Sequence, residues 1–264
     1  MTDRFREQSG YRFIEAGGSE GNIPVVCLHG ILGTADEWGP TVECVASSGY
    51  RVLVPSIPFD KLPLRESNVT GVTNYVRGFV ESLQLDPAVL IGNSLGGQIA
   101  LRYVLDYPVS VTGLVLAGSA GMYEVPLGTS QVKREDREYL RQSAAATFFD
   151  PTHANDALIE RLYNTANNRS HALRIVRLAR DSQRQVLQAR LGEILAPTAL
   201  VWGKEDRITP PDVAEMFVSH IPNAELHFIS ECGHAPMIER PEAFSWHIVQ
   251  FLHRVIGNGV LYPS

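Results

Sequence analysis

Three residues of the types used in nucleophilic catalysis lie far apart in the chain but in comparable local settings. Ser94, Asp206 and His234 each follow an apolar segment within a few residues. Serine is a weak nucleophile at neutral pH, so it needs an imidazole to accept its proton and a carboxylate to orient that imidazole. The three residues therefore form a candidate catalytic triad, in the chain order Ser, Asp, His.

The serine lies in a G-x-S-x-G pattern, between Gly92 and Gly96. An apolar strand is predicted over 88–91 and a helix from about 98 to 107, so the serine lies at a strand-to-helix turn. This is the pattern of a nucleophile elbow, in which strand and helix approach too closely for side chains at the glycines. The Leu95 N–H, at the positive end of the helix, is then a predicted oxyanion donor. The alternative is a Gly-rich turn that binds phosphate, but the spacing fits neither phosphate-binding pattern.

A second glycine-rich turn follows the apolar segment 24–28, in the sequence H-G-I-L-G. Backbone N–H groups at the end of a buried strand are available to a ligand, and we predict the Ile31 N–H as the second oxyanion donor. A plain glycine turn is the alternative. His29 is a possible pocket residue, and Trp38 fits the core as well as a pocket wall.

The acid of the triad has a neighbour that competes for its role. Glu205 precedes Asp206 on the same loop, and a shift of one residue along a loop is compatible with the pattern. Asn93, beside the serine, fits either a hydrogen bond within the pocket or a turn-forming role.

The surrounding sequence predicts the elements that bring these residues together. Strands and helices alternate through 118 and again from 191, which favours a mostly parallel sheet covered on both faces. Between them, 119–190 contains no convincing strand and predicts helices over 134–146, 155–166 and 169–189. We therefore predict a core of 1–118 and 191–264, with a helical cap at 119–190 over the carboxyl ends of the strands.

The predicted cap carries 11 lysines and arginines against 8 acidic residues. This excess of positive charge fits either an anionic substrate or, more simply, a solvated arginine-rich surface. Helical periodicity does not orient the side chains of the cap, so its pocket residues stay open. Those able to face a pocket are Tyr123, Phe148, Phe149, His153, Arg161, Tyr163 and His171.

Composition limits the classes of partner. The net charge of −6 and the pI near 5.8 argue against nucleic acid and anionic membranes as partners. The start of the chain lacks a basic-then-apolar leader, and no apolar run approaches the roughly 18 residues of a membrane span. The three cysteines show no metal-ligand spacing and suit a reducing compartment. We expect a cytoplasmic protein with a small-molecule substrate, no metal and no cofactor; the oligomeric state is not predicted.

Four motifs together resemble the α/β-hydrolase superfamily: L-H-G-I-L-G, G-N-S-L-G-G, W-G-K-E-D-R-I-T-P and C-G-H-A-P-M-I-E-R-P. The resemblance covers nearly the whole chain. It implies an α/β-hydrolase fold with a helical cap after the sixth strand. It also implies Ser94 as nucleophile, His234 as base and Asp206 as acid, with Leu95 and Ile31 as oxyanion donors.

Within that superfamily, G-N-S-L-G-G and E-C-G-H are similar to meta-cleavage-product hydrolases, which split carbon–carbon bonds of vinylogous diketones. Those enzymes usually carry an aromatic residue after the catalytic histidine, where this chain has Ala235. Arg161 is the nearest counterpart of their cap arginine. The leading hypothesis is therefore hydrolysis of a small ester, thioester or lactone through an acyl-enzyme. Carbon–carbon bond hydrolysis of a dienoic diketone is the alternative, and a non-catalytic binding protein on the same fold is a third hypothesis.

Overall fold

The fold is built on one eight-stranded sheet. The computed structural model describes residues 4–18, 22–125 and 134–257, and the strands follow the order β1-β2-β4-β3-β5-β6-β7-β8. Strands β1 and β2 form an antiparallel hairpin, β2 pairs antiparallel with β4, and the pairs from β4 to β8 are parallel. The strands are β1 Phe5–Gln8, β2 Tyr11–Ala16, β3 Val25–Leu28, β4 Val52–Pro55, β5 Ala88–Asn93, β6 Val111–Ala117, β7 Thr198–Gly203 and β8 Ala224–Ile229.

Helices cover both faces of the sheet, as the alternating pattern predicts. Buried side chains of α2, α3 and α7 pack on one face, and those of α1 and α9 pack on the other. Because both faces are covered, the central strands are apolar on both sides and buried throughout. The helices are α1 Gly39–Ser47, α2 Val69–Ser82, α3 Leu95–Asp106, α4 Arg137–Ala145, α5 Asp156–Asn167, α6 Arg169–Arg184, α7 Pro211–His220, α8 Pro236–Glu239 and α9 Pro241–Ile256.

Three helices, α4 to α6, lie between β6 and β7, after the sixth strand as predicted. Helices α4 and α5 share a small apolar cluster of Leu140, Ala144, Ala154 and Ile159, whereas Leu178 of α6 packs into the core of the sheet. The third helix ends at Arg184 rather than at residue 189, and a short 3₁₀-helix, Gln188–Glu193, completes the return to the sheet. The division of the chain into core and cap at 119 and 190 stays a prediction.

The close approach predicted around the elbow is present. A Cβ at Gly96 would overlap the carbonyl oxygen of Leu28, and one at Gly92 would overlap the Gly96 carbonyl oxygen. Glycine is therefore required at both positions for the start of α3 to lie this close to the ends of β3 and β5. Helix α3 ends at Asp106, as expected from Pro108.

No helix within the described ranges is long and apolar enough to cross a membrane.

Candidate active site

Ser94 stands at the turn between β5 and α3 in a strained backbone conformation. Its φ is +54° and its ψ is −122°, outside the regions that side-chain-bearing residues prefer. Its N–H donates to the Ala117 carbonyl oxygen at 3.0 Å, and its own carbonyl oxygen accepts the N–H of Ala120 at 3.1 Å. The side chain is half-buried. These contacts with the end of β6 hold the turn that the G-x-S-x-G pattern predicts.

The carboxyl ends of β7 and β8 bring an acid and a histidine together. His234 Nδ1 lies 2.8 Å from Asp206 Oδ2, and both side chains are almost completely buried. The second carboxylate oxygen, Oδ1, accepts the N–H groups of Ile208 and Thr209, while the Thr209 hydroxyl donates to Oδ2 at 2.9 Å. Both carboxylate oxygens of Asp206 are therefore held by hydrogen-bond donors of the loop after β7. The carboxylate can thus fix the imidazole with the proton on Nδ1 and the lone pair on Nε2.

The electrostatics favour a more basic histidine. Burial lowers the pKa of His234, but the charge and hydrogen bond of Asp206, together with the charges of Glu124 and Glu239, outweigh burial, and the pKa of the imidazole is raised above its ordinary value. Glu124, a half-buried residue, also acts on His234 in this direction. Burial raises the pKa of Glu124 itself. Glu124 has no signal in the sequence, because it lies seven residues beyond β6 on an irregular segment.

The raised pKa gives a pH prediction. A general base must be neutral, so activity falls as the pH drops through the pKa of His234. We expect the acidic limb of kcat/KM to have its midpoint above 6.5, the ordinary value for histidine. The substitution Asp206→Asn removes the negative charge that raises the pKa of His234, so the midpoint of any residual activity moves to lower pH. Initial rates between about pH 5 and about pH 9 measure both midpoints; a wild-type midpoint below that of Asp206→Asn contradicts the prediction.

The competing acid, Glu205, points elsewhere. Its Oε2 accepts the N–H of Cys232 at 3.0 Å, so it ties the β7 loop to the β8 loop. Of the two candidate acids, Asp206 is therefore the one that contacts the imidazole of His234, whereas Glu205 accepts a backbone N–H.

Asn93 is a structural link between the elbow and the histidine. Its Nδ2 donates to the carbonyl oxygens of Ala117 and His234, each at 2.9 Å. Gly118, with φ +51°, lies directly against the pair, since a Cβ there would be 2.9 Å from His234 Nδ1 and 3.1 Å from Asp206 Oδ2. Any side chain at Gly118 would push the histidine from the acid.

The glycine turn after β3, residues 29–34, lies beside Ser94. A Cβ at Gly30 would be 3.3 Å from the Cβ of Ser94. Within the described residues, the N–H groups of Ile31 and Leu95 donate to no protein acceptor. Free N–H groups beside a nucleophile have the character of an oxyanion hole.

His29 holds this 29–34 loop. The Ile57 N–H donates to its Nε2 at 3.1 Å, which leaves the proton on Nδ1, 3.0 Å from the Gly30 carbonyl oxygen. Burial lowers the pKa of His29 to about 4, so it is neutral at physiological pH. His29 therefore supports two loops through hydrogen bonds.

A cavity of about 220 Å³ opens next to the 29–34 loop. Of the predicted pocket residues, His29 and Arg161 line it, as does the predicted oxyanion donor Ile31. Other lining residues are Ile57 and Phe59, from the loop after β4, and Ile175 of helix α6.

Four other predicted pocket residues lie elsewhere. Of the two alternatives left open for Trp38, the structure has the core one, because its side chain is fully buried against Phe244 of α9. Phe148 is buried in the same apolar cluster, beside His153. Phe149 and Tyr123 are exposed, and the Tyr123 hydroxyl contacts Asp212. None of the four lines the cavity.

Glu239 is a buried carboxylate that sequence analysis did not identify. Its Oε1 accepts the Gly233 N–H at 2.9 Å, and its Oε2 accepts the Phe149 N–H at 2.6 Å. The His234 N–H donates to the Thr147 carbonyl oxygen at 2.9 Å. The segment after α4 is thus fastened to the histidine loop. An acid five residues after His234, within C-G-H-A-P-M-I-E-R-P, is the only sequence signal for it.

Glu239→Gln tests this fastening. The carboxylate accepts the N–H groups of Phe149, Gly233 and Ala235, so the amide NH₂ would face at least one of these three donors and leave a buried N–H without an acceptor. We expect the free energy of unfolding to fall by about 1–3 kcal/mol, measured by urea denaturation. Glu242→Gln is the matched control, since Glu242 is exposed in the first turn of α9. An equal loss in both variants would contradict the role given to Glu239.

Within the described part of the chain, no group of three or more His, Cys, Asp or Glu side chains is arranged to hold a metal ion.

The chain belongs to the α/β-hydrolase family. The family model for the alpha/beta hydrolase fold matches residues 23–241, which includes all the elements of the site. Among its relatives is a 2-hydroxy-6-oxononadienedioate/2-hydroxy-6-oxononatrienedioate hydrolase of Burkholderia vietnamiensis, 31% identical over 89% of this chain and 88% of that protein. The hydrolase of the same name from Cupriavidus pinatubonensis is 32% identical over 86% of each chain.

Solved structures agree on the fold. An α/β hydrolase from a lagoon-sediment metagenome of Mar Chica, Morocco, superposes with a TM-score of 0.78 at 27% identity, over 96% of this chain and 99% of that one. A meta-cleavage product hydrolase from Pseudomonas fluorescens superposes with a TM-score of 0.77 at 20% identity, over 93% of this chain and 95% of that one. The names of the sequence relatives support the carbon–carbon hydrolase alternative more than the ester hypothesis.

Proposed function

We propose that this protein hydrolyses a carbon–carbon bond in a dienoic diketone, with Ser94, His234 and Asp206 as its triad. The observation that carries the proposal is the buried Asp206–His234 pair at 2.8 Å, joined through Asn93 to the elbow that bears Ser94. The names of relatives about 31% identical along most of their length supply the substrate class. A 2-hydroxy-6-oxo-dienedioate is therefore the first substrate to test.

In the proposed reaction, Ser94 is the nucleophile and His234 is the general base. His234 takes the proton of Ser94 Oγ, and the alkoxide attacks the 6-keto carbon. The N–H groups of Leu95 and Ile31 stabilise the oxyanion. The bond to the neighbouring dienoate carbon breaks as that carbon gains a proton, which leaves an acyl-serine. Water, deprotonated by His234, then releases the second acid, so one water is consumed for each bond broken.

Ester hydrolysis is the second candidate, and two observations favour it. Ala235 leaves the position after His234 without an aromatic side chain, and it is buried. Arg161 is already paired with Glu37 at 2.6 Å, so part of its charge is neutralised before a substrate carboxylate binds. Both reactions use the same nucleophile, base and oxyanion donors.

The test compares two substrate series with one enzyme. Turnover of 2-hydroxy-6-oxononadienedioate is followed by the loss of its dienoate absorbance, with products identified by mass spectrometry. Nitrophenyl esters of increasing acyl length are assayed in parallel. The proposal expects kcat/KM for the dienoate to exceed that for every ester.

The possible results of these two assays distinguish the three hypotheses. Ester turnover alone replaces the carbon–carbon assignment with the second candidate. If neither series reacts, the remaining hypothesis is a binding protein. It is then tested by calorimetric titration with the dienoate, and Ser94→Ala should leave that binding unchanged.

A further inference from the structure

Arg161 connects the inserted helices to the 29–34 loop. It lies on α5, and its Nη2 donates to Glu37 Oε1 at 2.6 Å and to the Leu32 carbonyl oxygen at 3.3 Å. The two side chains are 34% and 20% exposed, so the ion pair is partly shielded from solvent. An ion pair of this kind is screened less than one on the open surface.

Glu37 has a second contact, on the other side of the same loop. Its Oε2 accepts the Thr34 N–H at 3.1 Å, as part of the capping box of the short 3₁₀-helix Ala35–Trp38. Gly33 also packs against this carboxylate, since a Cβ there would be 2.8 Å from Oε2. Arg161 and Glu37 together therefore hold the loop at Leu32 and at Thr34, on the carboxyl side of Ile31.

The remaining contacts of the loop come from the core. His29 fixes its start through Gly30, and the Gly33 N–H donates to the Gly30 carbonyl oxygen at 3.0 Å. From the inserted helices, Arg161 donates a hydrogen bond to the Leu32 carbonyl oxygen of this loop. Displacement of a donor by about 1 Å is enough to change a rate by about 100-fold.

We propose that Arg161, on the inserted helices, and Glu37 are positioning residues. Together they hold the 29–34 loop so that the Ile31 N–H points at the oxyanion. The inference rests on the proposed function, because it takes Ile31 as an oxyanion donor. It differs from a role for Arg161 in binding a substrate carboxylate, which would use guanidinium N–H groups that do not contact Glu37, such as the buried Nε–H, which has no partner among the described residues. The oxyanion forms with neutral and anionic substrates alike, so the two roles give different kinetics.

The test uses Arg161→Gln, Glu37→Gln and the double variant, with a neutral nitrophenyl ester and one that ends in a carboxylate. We expect each single variant to lower kcat by about 10-fold to 100-fold for both esters, with KM little changed. The loss in the double variant should be smaller than the product of the two single losses, because both substitutions break the shared Arg161–Glu37 contact.

Arg141→Gln is the matched control. Arg141 also pairs with a carboxylate at 2.6 Å, that of Asp156, and donates to the Ala154 carbonyl oxygen, but it does so within the inserted helices. It should keep the wild-type kcat. A rise in KM confined to the carboxylated ester in Arg161→Gln would overturn the proposal in favour of substrate binding.

A readout without turnover keeps the inference separate from the proposed function. Amide hydrogen exchange in residues 29–34 should speed up in Arg161→Gln and Glu37→Gln and stay unchanged in Arg141→Gln. Unchanged exchange in the first two variants overturns the inference. If the dienoate is not cleaved but esters are, only the carbon–carbon assignment fails, and the ester kinetics still decide the role of Arg161.

Discussion

Ser94→Ala is expected to lower kcat by a factor on the order of 10⁶, to the level set by binding and the oxyanion donors alone. The reason is that no other nucleophile occupies the elbow. Cys232, the nearby thiol, is buried, and burial together with Glu239 raises its pKa far above the ordinary value for cysteine. The thiol is therefore protonated and unreactive at neutral pH.

The measurement is the single-turnover rate with whichever substrate the wild type uses best. Ser119→Ala is the matched control, because Ser119 is a buried serine at the end of the neighbouring strand β6, and its hydroxyl donates to the Ala120 carbonyl oxygen. It should keep most of the wild-type rate, whereas Ser94→Ala should not form an acyl-enzyme detectable by mass spectrometry. An acyl adduct in Ser94→Ala would exclude Ser94 as the nucleophile.

The fold was predictable because its signals are local. Each strand and helix of the core is marked by an apolar pattern within a short segment of sequence. Parallel strands then place their carboxyl ends along one edge of the sheet. Three chemically suitable residues at the ends of β5, β7 and β8 are therefore expected to lie close together, and Asp206 and His234 do so although 28 residues separate them in the chain. The same reasoning could not choose between Glu205 and Asp206, because one residue along a loop reverses the direction of a side chain.

The surroundings of the site were less predictable, because they depend on contacts between distant segments. Phe148 and Phe149 are adjacent and chemically alike, yet one is buried and the other is 44% exposed. Arg161 and its partner Glu37 are separated by 124 residues, and the sequence around neither residue indicates the other. Glu239 reaches Phe149 across 90 residues. Periodicity identifies which helices exist, but it does not orient them on the sheet.

Asp206→Asn is expected to lower kcat by a factor of about 10⁴, the second largest effect. Asparagine is nearly the same size and can keep the Asx-type bonds to Ile208 and Thr209 through its oxygen. Its NH₂ group would then face Nδ1 of His234, so the ring would have to carry its proton on Nε2. An imidazole protonated on Nε2 has no lone pair for the proton of Ser94, and the base is lost without loss of the fold.

Glu205→Gln is the control that separates the two acids. Glutamine retains an oxygen that can accept the Cys232 N–H, and Glu205 has no hydrogen bond to His234 in the described part of the chain. We therefore expect wild-type kcat in Glu205→Gln and the full loss in Asp206→Asn, both measured at a pH above the midpoint of the acidic limb. The opposite ranking would mean that the loop rearranges during turnover, so that the acid facing His234 in the reacting enzyme is Glu205. Similar thermal stability of the two variants is required for the comparison, because Asp206 also joins four hydrogen-bonding groups around the loop after β7.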